Sequence, residues 1–175
     1  MSNPYFFLSY KHEDRKIAEE IYKFLKNNGV DVWMDSRLNP GSRWGKEIRQ
    51  KLVDSSGVIV LLTEELNKID YSDVLNELAI AADLNMQILP LKFHDRQLSK
   101  ALNALVGDRL WLDLSENFIN SGLSSTLQQH KDILLEFCNR WERGEDLLGY
   151  NSWLSDERKN EIVIKMKRNI LNLEK

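Results

Sequence analysis

Five short apolar runs, each followed by a segment with helical spacing, constrain this chain more than any other feature. The runs are 5–9 (YFFLS), 30–34 (VDVWM), 57–62 (GVIVLL), 87–92 (QILPLK) and 110–114 (LWLDL). Runs of this kind, apolar without strict alternation, suit strands buried on both faces. Between them, Ile17, Ile21, Phe24 and Leu25 form a helical stripe that Asn27, Asn28 and Gly29 can stop in the left-handed conformation. Trp44, Ile48 and Leu52 mark a second helix, and Ser72 can cap a third that carries Leu75, Leu78, Ala79 and Ala82. A short helical stretch spans Leu98 to Leu105, and Leu123 to Trp141 is expected to close the domain as its last helix. Strands alternating with helices imply right-handed crossovers and a parallel sheet covered on both faces. Pro90 is expected to make its strand peripheral or locally irregular.

The 175 residues suit one domain, expected over 1–143, with a C-terminal helical extension over 144–175. Ile162, Met166 and Ile170 share a face of that extension, which is read either as packing on the domain or as reaching a partner. A charged fraction of 29% with a net charge of -3 gives no positive field for a phosphate backbone or an anionic membrane. No apolar run approaches the roughly 20 residues that span a bilayer. The amino end lacks a basic segment followed by a long apolar stretch, so a cytoplasmic location is expected. Cys138 is the single cysteine, and His12, His94 and His130 lack metal-ligand spacing, so neither a disulfide nor a metal is expected.

In an open parallel sheet of flavodoxin-like order, ligands bind beyond the carboxyl ends of the strands, near the switch point between the first and third. The loop from Ser9 to Asp14 and the segment from Thr63 to Glu77 meet that description, with the polar loop from Asp35 to Trp44 beside them. Together they offer hydroxyl, phenol, cationic, carboxylate and aromatic groups, an inventory suited to a nucleotide.

From Tyr5 to about Trp141 the order of these segments resembles the Toll/interleukin-1 receptor (TIR) domain family, in its bacterial form. Phe6 to Tyr10 (FFLSY) resembles the family's first box, with Asp14 in the acidic position after it. Val32 to Asp35 followed by Leu38 to Gly41 resembles the second strand and its long loop, here one residue longer. Gly57 to Thr63, Glu77 with Leu78 and Ala81, Ile88 to Leu91 and Leu112 to Ser115 complete the series. The resemblance implies a flavodoxin-like TIR fold, with a five-stranded parallel sheet and helices on both faces. It further implies an NAD glycohydrolase or cyclase in immune or anti-phage signalling, with NAD as substrate and no prosthetic group. Glu77 is the implied catalytic carboxylate, and Ser9, Tyr10, Lys11, Asp35, Trp44 and Asp73 the implied substrate-binding residues. Active members commonly carry an aromatic four residues before the glutamate, where this chain has Asp73.

Simpler readings stand beside these. Glu77 lies opposite the face of Leu75, Leu78, Ala79 and Ala82, as a solvated helix residue would. Its own side also carries Ile80 and Leu84, which suits self-association. Asp14 can cap the first helix, Ser9 can bond local backbone, Lys11 and His12 can be solvated, and Trp33 reads as core. The functional alternatives are therefore an NAD-cleaving enzyme and a noncatalytic module that recruits other TIR domains.

Overall fold

The structure, a computed structural model, describes residues 4–35, 44–68, 72–107, 109 and 111–142. Each apolar run supplies a strand: β1 (Phe6–Ser9), β2 (Val32–Trp33), β3 (Gly57–Leu62), β4 (Ile88–Lys92) and β5 (Leu112–Asp113). They form one parallel sheet in the order β2-β1-β3-β4-β5. Between and after them run α1 (Arg15–Asn27), α2 (Trp44–Val53), α3 (Glu64–Asn67), α4 (Asp73–Asp83), α5 (Lys100–Val106), α6 (Ser115–Gln129) and α7 (Lys131–Glu142). A single 3-10 turn, His12–Asp14, leads from β1 into α1.

The strand pleat divides the core in two. Phe6, Leu8, Ile59, Leu61, Leu89 and Leu91 meet α1 and α7 through Ile21, Leu25, Leu134 and Phe137. Phe7, Val58, Val60, Leu62 and Ile88 meet α2, α4 and α5 through Ile48, Leu52, Leu78, Ala81 and Leu102. Full burial of such side chains contributes about 1.5–3 kcal/mol each, so this division dominates the fold's stability. It also fixes two polar residues at the carboxyl ends. Ser9 keeps the parity of Phe7 and faces α4, whereas Thr63, one residue past β3, keeps the parity of Leu61 and faces α1.

Helix α1 stops where its sequence provides. Gly29 has φ +81°, and the amides of Gly29 and Val30 donate to the carbonyls of Lys26 and Leu25, which satisfies the helix end. Helix α4 ends the same way through Asn85 at φ 52°, with Met86 donating to Ala81. Its start is held by Ser72, whose hydroxyl accepts from the Leu75 amide at 3.3 Å.

Four expectations change. Pro90 lies in β4, flanked by β3 and β5, rather than at the periphery. Successive residues of a parallel strand bond to alternate sides; Gln87 and Phe93 bond towards β3, and Lys92 accepts from Leu114 on the β5 side. Pro90 shares the parity of Lys92, so its missing N–H faces β5, whose ladder begins only at Leu91↔Leu112. The closing helix is not continuous from Leu123. Instead α6 starts at Ser115, is interrupted at Gly122 (φ 77°, ψ 175°), and gives way to α7 after His130. The edge strands β2 and β5 keep only two residues each, because each has a single neighbour and a two-pair ladder. Finally, the buried face of α4 is Val74, Leu75, Leu78 and Ala81, while Ala79 and Ala82 are only half-buried. The loop residues 36–43, Tyr71 and the expected extension 144–175 lie outside the described residues.

Candidate functional site

The corrected face of α4 changes the position of Glu77. At helical spacing, 74, 77, 78 and 81 share one side, so Glu77 borders the core instead of opposing it. Its carboxyl reaches the end of β1. There the buried Ser9 hydroxyl donates to Glu77 Oε2 over a short 2.5 Å bond. Ser9 thus bonds across the fold, not to local backbone.

Glu77 keeps some solvent-accessible surface, yet protein surrounds its carboxyl on enough sides for desolvation to dominate its ionisation. Burial pushes its pKa up to about 8; the Ser9 bond opposes the change, and the charges of Asp73 and Asp35 reinforce it. In the empty site at neutral pH the carboxyl is therefore mostly protonated. A cation placed beside it favours the carboxylate, because opposite charge lowers the cost of ionisation. The group is poised between the two forms near physiological pH.

The other sequence candidates divide. Tyr10 Oη donates to the Asp35 carbonyl at 2.6 Å, tying the loop after β1 to the segment after β2. Burial raises the Tyr10 phenol's pKa, and the Glu77 charge adds to the rise. Asp73 is exposed at the first position of α4, close enough for its charge to act on Glu77. Ser9, Tyr10, Asp35, Asp73 and Glu77 are thus brought together. Lys11 is turned aside: its Nζ lies 3.4 Å from Glu13 Oε1, and its charge acts on Asp14. Trp44 opens α2, and its side chain lies outside the described residues.

Asp14 occupies the position before α1 without capping it. Its Oδ2 accepts from Thr63 Oγ1 at 2.5 Å, and Thr63 Oγ1 also accepts from the Leu66 amide at 3.2 Å. Burial raises the Asp14 pKa, opposed by the Thr63 bond and the Lys11 charge. This pair welds the loops after β1 and β3 on the face away from Glu77. Thr63 is not among the sequence candidates. The available signal is its place as the first polar residue after the most apolar strand, where the pleat must point it at one neighbour.

A family model described as the TIR domain matches residues 6–129. Among solved structures, the TIR domains in the activated Roq1 resistosome directly recognizing the pathogen effector XopQ are similar to this chain. The identity is 17%, the TM-score 0.42, and the alignment covers 94% of this chain and 98% of that one. The comparison with curated proteins gives no match.

Proposed function

Because this chain belongs to the TIR-domain family, we propose that it cleaves the nicotinamide glycosidic bond of NAD, with Glu77 as the catalytic carboxylate. The observation that supports this reading is the enclosed carboxyl of Glu77 held by Ser9 at the carboxyl end of β1. In NAD the nicotinamide nitrogen is already cationic. When the ribose C1′–N bond breaks, its electron pair stays on that nitrogen, and neutral nicotinamide leaves without a general acid. The ribose is left with oxocarbenium character, which an adjacent carboxylate stabilises and which strengthens as the bond stretches. Water then adds at C1′ and loses a proton to give ADP-ribose; an adenine nitrogen adding instead gives a cyclic isomer.

The substrate's own charge prepares the site. Glu77 is mostly protonated when the site is empty, and the incoming pyridinium favours its ionised form, so the stabilising charge arises where the substrate sits. Ser9 fixes the carboxyl's orientation, Tyr10 and Asp35 bound the same corner, and Asp73 adds negative charge at its rim. Trp44 completes the substrate-binding set in this reading, and Lys11 joins it only by leaving Glu13. The biological setting is immune or anti-phage signalling, with assembly through self-association or with other TIR domains.

Asp73 favours a second reading. Exposed at the start of α4, it supplies charge where active relatives supply an aromatic surface for the nucleotide. On that reading the chain is a noncatalytic assembly module. Incubating the purified protein with NAD and measuring nicotinamide over a wide range of protein concentration separates the two. Nicotinamide release supports catalysis; none at the highest concentration assigns the chain to assembly.

A further inference from the structure

The face of the sheet away from Glu77 holds a cavity of ≈ 220 Å³ at the carboxyl ends of β3 and β4. Its apolar wall comes from Ile17 of α1, Phe93 after β4, and Phe118 with Ile119 of α6. Phe93 and Phe118 meet edge to face, with centroids 5.3 Å apart, which makes the wall rigid. Asp14, Glu64, Glu65 and Asp95 supply its polar side.

His94 gives this cavity its distinguishing feature. It lines the space at 4% exposure, and neither ring nitrogen has a hydrogen-bond partner among the described residues. A buried polar atom without a partner costs about 1–3 kcal/mol, which native proteins rarely retain without a reason. Burial, then the nearby Lys92 charge, lowers the His94 pKa to about 4, so the ring is neutral and offers one donor and one acceptor. Glu64 is already 3.4 Å from Arg96, and Glu65 is 2.9 Å from Lys68. Asp14 and Asp95 form no ion pair among the described residues, though the charges of Lys11 and Lys92 act on them, so theirs is the negative charge most open to a ligand.

We propose that this cavity binds a small organic cation. Its apolar body lies on Ile17, Phe93 and Phe118, its ammonium meets the carboxylates of Asp14 and Asp95, and one N–H bonds to a His94 nitrogen once the ring, whose nitrogens are now enclosed, turns towards the space. Anions are disfavoured by the surrounding carboxylates. A metal ion is disfavoured too, since no group of three His, Cys, Asp or Glu among the described residues has the geometry to hold one. The volume is below the roughly 300–1,000 Å³ of pockets for drug-sized ligands, so a single ring with a short amine is the fitting size.

The test is titration of the full chain with benzylamine, benzyl alcohol or benzoate while the ring signals of His12, His94 and His130 are followed by 15N NMR. Benzylamine is expected to move the His94 signals saturably, with the alcohol and the acid at least about tenfold weaker. Asp14→Asn, which retains an acceptor for Thr63, and His94→Phe should each weaken benzylamine binding about tenfold. Glu77→Gln should leave it unchanged, since Glu77 belongs to α4 on the opposite face of the sheet and does not line the cavity; binding is thus independent of whether NAD is cleaved. If His94→Phe fails to fold, Ile119→Trp, an exposed rim substitution, should block entry instead. Equal binding of the alcohol, or no saturable change at His94, overturns the proposal. So does a His94 signal that moves with protein concentration alone, which assigns the cavity to a lysine or arginine of a second copy.

Discussion

Replacing Glu77 by Gln keeps the volume and removes the charge, so it isolates what the carboxylate contributes. In the proposed reaction nicotinamide release should fall on the order of a hundredfold or more with little change in NAD affinity, as for other preorganised electrostatic groups. A folded Glu77→Gln protein as active as the parent rules the role out. The pH profile reads the same group from another side. With the free carboxyl's pKa near 8, kcat/KM should rise with pH through about 8, whereas the kcat limb should lie lower because the bound pyridinium favours ionisation. A flat profile between pH 6 and 9, chosen as roughly bracketing that value, contradicts it. Stability runs in the opposite direction. The folded pKa exceeds the unfolded one, so this group's contribution is intact below the ordinary carboxylate range and is lost as pH rises through about 8. Glu77→Gln should therefore be more stable than the parent at alkaline pH, by roughly 1–3 kcal/mol after discounting for its residual exposure, and near parity in acid; urea titrations at two pH values measure it.

At the scale of elements, the centres of the strands were legible because strands buried on both faces announce themselves as apolar runs. Their lengths were not: β2 and β5 end where a neighbour's ladder ends, which is a property of the pair. The turn chemistry after α1 was readable at Gly29, but α4 looked apolar around much of its circumference, and alanine gives a helical face little contrast. That ambiguity put Glu77 on the wrong side of its helix while leaving its candidacy to the family motif. The loops that begin at Ser9 and Asp35 were legible from strand ends, and the candidacy of those two residues came from the family resemblance, whereas the partnership of Asp14 with Thr63 joins residues far apart in sequence and needed the pleat. The break in α6 has its own test. Gly122 holds φ 77° and ψ 175°, a region accessible essentially to glycine only, so Gly122→Ala should cost about 1–3 kcal/mol even though a methyl group there meets nothing within 4 Å. An unchanged denaturation midpoint shows that the break relaxes into continuous helix.

Taken whole, the molecule has no described helix long and apolar enough to cross a membrane, and its described surface carries isolated large apolar side chains at Val53, Leu84 and Ile119. Leu84 lies just beyond α4, the helix that carries Glu77. If assembly through that side steadies the site, nicotinamide released per molecule should increase with protein concentration, and Leu84→Glu should suppress the increase without altering the monomer's far-UV spectrum. Constant turnover from a strictly monomeric particle contradicts this. The alternation that turns Ser9 towards α4 and Thr63 towards α1 reaches further than either contact. One backbone wall separates two chemically unlike corners, so a lineage can retune the residues on one side while inheriting the other intact, and a molecule fitted to one corner has no need to resemble a molecule fitted to the other.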